Sequence, residues 1–162
     1  MTDFQARRIT HQYIQTNLAP PENIFPLLCP VREADWVPGW QYRLIYSKSG
    51  VAEPGCVFTT PNEDGSETTW IVTEYEPAAF LIAFVWVNPE VMAAQIRIRL
   101  ERKAEGRTLA HIQYTYTGLS AQGNSEVDRY DENWFRQKMQ SWETAINHYL
   151  RTGKCIEAGA WE

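Results

Sequence analysis

Between Asn124 and Thr152 the chain has neither proline nor glycine, and Gly153 stands where a helix would stop. Inside that stretch Phe135, Met139, Trp142, Ile146 and Tyr149 recur in steps of four, three, four and three. Such spacing is one apolar helical face, about four turns long. Val127, Tyr130 and Trp134 form a second set slightly out of phase with the first. The mismatch predicts that the helix bends, breaks or begins in earnest near Asp131 to Asn133. A helix with one apolar stripe must bury it against another layer, so the rest of the chain has to supply that layer.

The rest reads as strands. AQIRIRLERK (Ala94–Lys103) alternates Ile96, Ile98 and Leu100 with Arg97, Arg99 and Glu101, and AEGR supplies a turn. TLAHIQYTYTG pairs back with Ala110, Ile112, Tyr114 and Tyr116 on one side and His111, Gln113, Thr115 and Thr117 on the other. Both strands have a polar outer face, so the sheet is covered on one side only. Upstream, RRITHQYIQTN (Arg7–Asn17), WQYRLIY (Trp40–Tyr46), GCVFTT (Gly55–Thr60) and TTWIVTEY (Thr68–Tyr75) are further strands, with NEDG (Asn62–Gly65) as turn chemistry. FLIAFVWVN (Phe80–Asn88), after the breaker EPAA, is apolar at both parities and predicts burial on both faces. In APPENIFPLL, Pro20 and Pro21 fit only a first helical turn, and Pro26 kinks or divides the short helix that follows. The order is strand, short helices, about five or six more strands, long helix, which is an α+β domain with one curved antiparallel sheet. One helix across a curved sheet cannot touch every inward side chain, so a cavity between them is expected. No linker or repeat interrupts residues 1–153, which read as one domain, with 154–162 as a tail.

Length and charge narrow the function classes. The 162 residues suit a single core, and a net charge of −5 argues against nucleic acid as a partner. No apolar run is long enough to span a membrane, and MTDFQARRITHQ lacks the apolar stretch of a secretory signal, so a cytoplasmic location is expected. Cys29, Cys56 and Cys155 lack metal or redox spacing; the first two read as buried small hydrophobes and the third as a tail residue. A homodimer is neither required nor opposed by these features.

The chain resembles the START/Bet v 1-like superfamily, also called SRPBCC or helix-grip, in APPENIFPLL after the first strand, in WIVTEYEP, and in the final helix ending NHYLRTG. The polyketide cyclase/dehydrase-like and Aha1-like branches are the nearest in kind, and LLCPVREADWVPGW is similar to a subgroup of short bacterial members. The resemblance spans roughly residues 6 to 153. It implies a helix-grip fold, a curved sheet of about six to seven strands wrapped around a long C-terminal helix. It also implies a cavity that holds lipids, sterols, polyketides or hormones in some members, cyclase or aromatase chemistry in others, and a co-chaperone surface in the Aha1-like ones.

Residue chemistry points the same way without choosing among these. No HExxH, paired Cys or Asp-rich loop suggests a metal, and no cofactor is called for. There is no GxSxG; Cys29 with His11 is the one conceivable thiol–imidazole pair, against the simpler account of a packed thiol. Acid–base work in a cavity would fall to His11, Arg32, Glu33, Asp35 or Glu74. His11 shares parity with Ile9 and Tyr13, and Glu74 shares parity with Trp70 and Val72, which aims it inward unless the strand end is in water. Arg32 and Glu33 read equally as an ion pair. The aromatic set is the strongest signal. The rings Trp40, Tyr42, Phe58, Trp70, Phe84, Trp86, Tyr114 and Tyr116 share a face with the helix residues Phe135, Met139 and Trp142. Pure core packing is the competing account, but a dry core prefers Leu, Ile and Val over rings with polar tips. The expected site for a small hydrophobic or aromatic ligand, lipid- or polyketide-like, therefore comprises these residues with Arg32, Trp36 and Glu74 at its rim. CPVREADWVPGW (Cys29–Trp40), stiffened by Pro30 and Pro38, becomes that rim rather than a catalytic loop.

Overall fold

In the computed structural model, which describes residues 3–158, the alternating segments become β1 (Arg8–Asn17), β2 (Arg43–Tyr46), β3 (Val57–Pro61), β4 (Glu67–Glu76), β5 (Leu81–Asn88), β6 (Met92–Lys103) and β7 (Arg107–Gly118). Among the described residues these seven form one antiparallel sheet in the order β1-β7-β6-β5-β4-β3-β2. The first strand closes beside the last, so the sheet edges are β1 and the short β2. WQYRLIY forms a strand only from Arg43, because Trp40 to Tyr42 are drawn into the preceding loop.

Parity sorts the central strands as their sequences require. Ala94, Ile96, Ile98 and Leu100 of β6 are buried while Gln95, Arg97 and Arg99 are exposed. Facing them on β7, Ala110, Ile112, Tyr114 and Tyr116 are buried, Ile98 lying opposite Ile112 and Ile96 opposite Tyr114. Of the apolar run on β5, Leu81 to Phe84 are buried at both parities, but Val85 to Asn88 are only half-buried.

The prolines divide the segment after β1 as expected. Pro21 starts α1 (Pro21–Ile24), Phe25–Leu28 is a 3₁₀ turn containing Pro26, and Pro30 starts α2 (Pro30–Glu33). The C-terminal segment does break. Helix α3 (Ala121–Arg129) ends at Tyr130, whose ψ of 58° is not helical. Asp131 then caps α4 (Glu132–Thr152), its carboxylate accepting from the Trp134 amide at 2.8 Å. Gly153, at φ 72°, adopts the left-handed conformation that ends the helix. Helix α3 approaches the sheet so closely that a Cβ on Gly123 would lie 1.7 Å from the Val91 carbonyl oxygen, which no side chain can tolerate. The stretch after α4 is not wholly loose, since Ile156 is buried in the core, while the rest of the expected tail, 159–162, lies outside the described residues.

Among the strands, helix α4 brings its backbone closest to β1. Along β1 it is tied down by side chain to backbone hydrogen bonds. Gln15 Nε2 donates to the Met139 carbonyl at 3.0 Å, Asn147 Nδ2 donates to the Thr16 carbonyl at 2.9 Å, and Asn147 Oδ1 accepts from the Leu18 amide at 3.0 Å. Over β3 to β5 the inward side chains include the rings Phe58, Trp70, Phe84 and Trp86. Their bulk holds the helix off, and space is left there.

Candidate functional site

That space is a cavity of about 340 Å³, near the low end of the range for small-molecule sites. Its floor is Trp70 and Trp86 on β4 and β5, Tyr114 on β7 and Met92 on β6. Its roof is Tyr130, Lys138 and Trp142 from the C-terminal helices, and Val37 and Trp40 close one side. Thr60, Asn62, Thr68, Asn88 and Glu126 add polar groups.

The rings form a connected array. Trp70 stacks on Phe58 with centroids 5.3 Å apart and meets Phe84 edge-on at 6.1 Å and Trp40 at 6.4 Å. Tyr130 and Trp134 stack at 4.0 Å, and Tyr116 stands edge-on to Tyr130 at 5.1 Å. The indole N–H groups are already used: Trp70 donates to Thr60 Oγ1, Trp40 to the Pro30 carbonyl and Trp36 to the Leu27 carbonyl. The indoles therefore present apolar faces. Polarity comes from elsewhere. The Tyr116 hydroxyl is buried without a hydrogen-bond partner. Glu33, which sequence left as half of an ion pair with Arg32, is instead 8% exposed, and its carboxyl has no partner among the described residues. Burial pushes the Glu33 carboxyl well above the usual carboxylate range. Its charge in turn adds to desolvation in raising the Tyr114 hydroxyl, which places the two side chains in one neighbourhood. Lys138 Nζ sits 5.3 Å from the Tyr114 ring centre and 5.2 Å from that of Trp134. No carboxylate among the described residues lies within ion-pairing distance of it, and burial lowers its pKa to about 8.

Of the residues expected at the site, Trp40, Trp70, Trp86, Tyr114 and Trp142 stand at the cavity wall. Phe58, Phe84 and Tyr116 lie behind that wall, packed on its rings. Trp36 is core, edge-on to Trp142 at 6.0 Å, and Tyr42 packs half-buried against the core. Phe135 and Met139 are buried on the β1 side. Two orientations are corrected. Arg32 lies on the surface, its Nε 2.8 Å from Asp35, and Asp35 and then Tyr149 keep its guanidinium charged. Glu74 points outward, 3.8 Å from Arg97. A bulge between Val72 and Glu74 inverts the parity of β4 there, so Tyr75 turns inward instead, onto Phe25.

The other candidates are spent on structure. His11 is buried, but its Nε2 donates to the Tyr130 carbonyl at 2.6 Å and its ring stacks on Phe135 at 5.0 Å. Cys29 Sγ accepts from the Ala52 amide at 3.3 Å, so neither partner of the suggested thiol–imidazole pair engages the other. His111 bonds Glu101 at 2.7 Å on the outer face. Among the described residues no group of three or more His, Cys, Asp and Glu could hold a metal ion, and no helix is long and apolar enough to cross a membrane. Two further depressions, of about 290 and 600 Å³, lie outside the fold's interior. One sits on the outer face among Gln12, Arg97 and Gln113, where Gln12 and Gln113 bond each other at 2.9 Å, and the other runs along the β1 edge. Neither is enclosed by rings.

Sequence reasoning missed Lys138 and Tyr130, and it named Glu33 as an acid–base candidate but left it equally as half of an ion pair. The signals were present: Trp134, Lys138 and Trp142 share one helical face at i, i+4 and i+8, and Glu33 falls on the same buried side as Pro30, Trp36 and Val37.

No protein-family model and no curated protein sequence matches the chain. Solved structures do match. The protein named Ara h 8.0201 aligns over 90% of this chain and 99% of its own, with a TM-score of 0.62 at 16% identity. A norcoclaurine synthase from Thalictrum flavum, solved with dopamine and hydroxybenzaldehyde, aligns over 92% and 90%, with a TM-score of 0.66 at 12% identity. The di-domain ARO/CYC BexL from the BE-7585A biosynthetic pathway aligns over 90% of this chain and 46% of its own, with a TM-score of 0.62 at 16% identity. The chain has the Bet v 1-like, SRPBCC fold.

Proposed function

We propose that the protein binds a small hydrophobic or aromatic molecule in the cavity between β3–β7 and the C-terminal helices. One observation carries this reading: a cavity of about 340 Å³ walled by indole and phenol faces, into which the Lys138 ammonium projects with ring faces but no carboxylate beside it. A dry core would not hold a lysine ammonium without a carboxylate partner. Binding would come from burial of apolar surface, with orientation set by the few polar atoms. The volume favours a compact ligand over a long acyl chain. A polyketide-like or other ring-bearing molecule fits the flat indole walls.

A second reading, a cyclase- or dehydratase-type reaction in the same space, is favoured by a specific pair. A buried carboxyl whose pKa is raised and an amine whose pKa is lowered both lie near Tyr114, which suits proton transfer to and from a bound carbonyl compound. Its acid–base groups would be Glu33 and Lys138, since His11, Arg32 and Glu74 are engaged elsewhere. An Aha1-like interaction surface has no comparable structural feature in its favour.

The test is to recover the protein from its host and record its mass under native conditions, then to titrate it with apolar dyes and aromatic compounds while following Trp fluorescence. A retained molecule, or a saturable fluorescence change removed by the cavity-filling substitution Asn88→Trp, supports binding. An unaltered spectrum with every probe and no retained mass sinks it. Turnover of a polyketide mimic that is lost in Glu33→Gln would move the conclusion to the enzymatic reading.

A further inference from the structure

We infer that the cavity's ligand is an organic anion, a flat apolar body bearing a carboxylate or an equally acidic oxygen, and that Lys138 is the residue that selects for the charge. The inference rests on the ligand-binding reading above and adds the chemical class of the ligand.

The geometry is the starting point. Lys138 projects from α4 into the cavity between Trp134 and Trp142, with its ammonium resting against the faces of Tyr114 and Trp134. Ring faces stabilise a cation by about 0.5–2 kcal/mol, far less than water or a carboxylate does. A cation so placed is therefore under-compensated. The acidic groups around it do not make up the difference. Glu126, from α3, borders the cavity but has Arg129 at 3.6 Å. Glu33, from α2, is buried, and burial raises its carboxyl pKa and so opposes its negative charge. Tyr114 and Tyr116 on β7 are held far from ionisation by desolvation, and Tyr130 is raised as well. Among the described residues no carboxylate is ion-paired with the ammonium, and the phenols beside it are held far from ionisation. A negatively charged ligand is the one partner that would complete the site, and the neighbouring donors would serve the same anion.

The converse arrangement, a neutral apolar ligand, leaves the ammonium buried under it with still less water, which costs affinity. The pocket is therefore biased against neutral compounds of the same shape as well as towards acidic ones.

Two probes of one shape test this: 2-naphthoate and 2-naphthamide, titrated calorimetrically against wild type, Lys138→Met and Lys138→Arg. For wild type at pH 7 the acid should bind about tenfold or more tightly than the amide, the scale expected of a partly desolvated ion pair. Lys138→Met should erase that preference by weakening the acid alone, and Lys138→Arg should keep most of it. A readout on unaltered protein guards against a variant that misfolds. The wild-type preference should decline as pH rises through about 8, where Lys138 loses its proton. Equal binding of acid and amide, or a preference that survives Lys138→Met or is flat between pH 7 and 10, overturns the inference while leaving the cavity's role intact. Failure of both probes to bind overturns the binding reading and this inference with it.

Discussion

Helix α4 spans two regions that could hardly differ more for a single element. On the β1 side it is closely packed and tied to the backbone: His11, Gln15 and Asn147 all reach backbone atoms across the interface, and Phe135, Met139 and Ile146 fill the space between. On the β3–β6 side, Lys138, the Tyr116 hydroxyl and Glu33 have no partners, and a cavity of about 340 Å³ persists among rings. The difference teaches how this fold divides labour. Side chain to backbone bonds from His11, Gln15 and Asn147 fix the helix on one edge of the sheet. Indoles on β4 and β5 stand beneath it on the other side, so the anchored edge is packed and the propped edge retains a cavity.

The largest effect should come from removing the anchor. Phe135→Ala takes a fully buried ring from the closely packed side and should cost about 3–5 kcal/mol in urea unfolding. Trp142→Ala removes a bigger ring but one that already borders empty space, and should cost less than half as much by the same scale. If the two losses were equal, the propped side would be ordinary core. Polar substitutions should divide the same way. Gln15→Leu removes the added bond to the Met139 carbonyl, which keeps its helical partner, and should cost about 0.5–1.5 kcal/mol.

Lys138→Met, by contrast, should be neutral or stabilising at pH 7, because it deletes a buried charge that nothing compensates. The sign has a pH signature. Lys138 titrates at about 8 when folded against an ordinary 10.5, so the unfolded chain holds the proton more tightly. Below about 8 the penalty on the folded wild type is complete, and it is relieved as pH rises through 8 towards 10.5. The advantage of Lys138→Met should shrink over that interval, measured as the difference in unfolding free energy. Glu33→Gln should run the other way. The Glu33 pKa is raised above 4.5, so the wild type loses stability as pH climbs above 4.5 and the unfolded chain ionises first. The variant should match wild type near pH 4 and gain on it towards pH 7.

These residues also mark how far the sequence could be read. The strands were legible because β6 and β7 alternate strictly, and the break at Asp131 was legible because two apolar sets on the helix fell out of phase. The general position of the cavity followed from ring content. What failed was local. Parity carries a strand's inward face forward only while pairing stays regular, and the bulge at Val72–Glu74 has no signature in TTWIVTEY. Lys138 was passed over because a lysine in an apolar stripe is normally read as a stem that snorkels to water, although tryptophans four residues away on either side leave it between rings. Glu33 was read as half of a surface pair with Arg32, when the turn of α2 sends neighbouring side chains to opposite sides.

That divergence of neighbours sets the smallest expected effect. Arg32 and Asp35 make a surface ion pair 2.8 Å long, both side chains more than 40% exposed, and Glu74 faces Arg97 in water on the outer sheet face. Exposed pairs of this kind contribute little because solvent screens them and ordering the side chains offsets the attraction. Arg32→Ala and Glu74→Gln should therefore each shift unfolding by no more than about 0.5 kcal/mol, and should leave the acid-over-amide preference at its wild-type value. A loss of preference in Arg32→Ala would place the ligand's charge at the loop between α2 and β2 rather than at α4. It would also mean that the anchored and propped sides of the helix share one site.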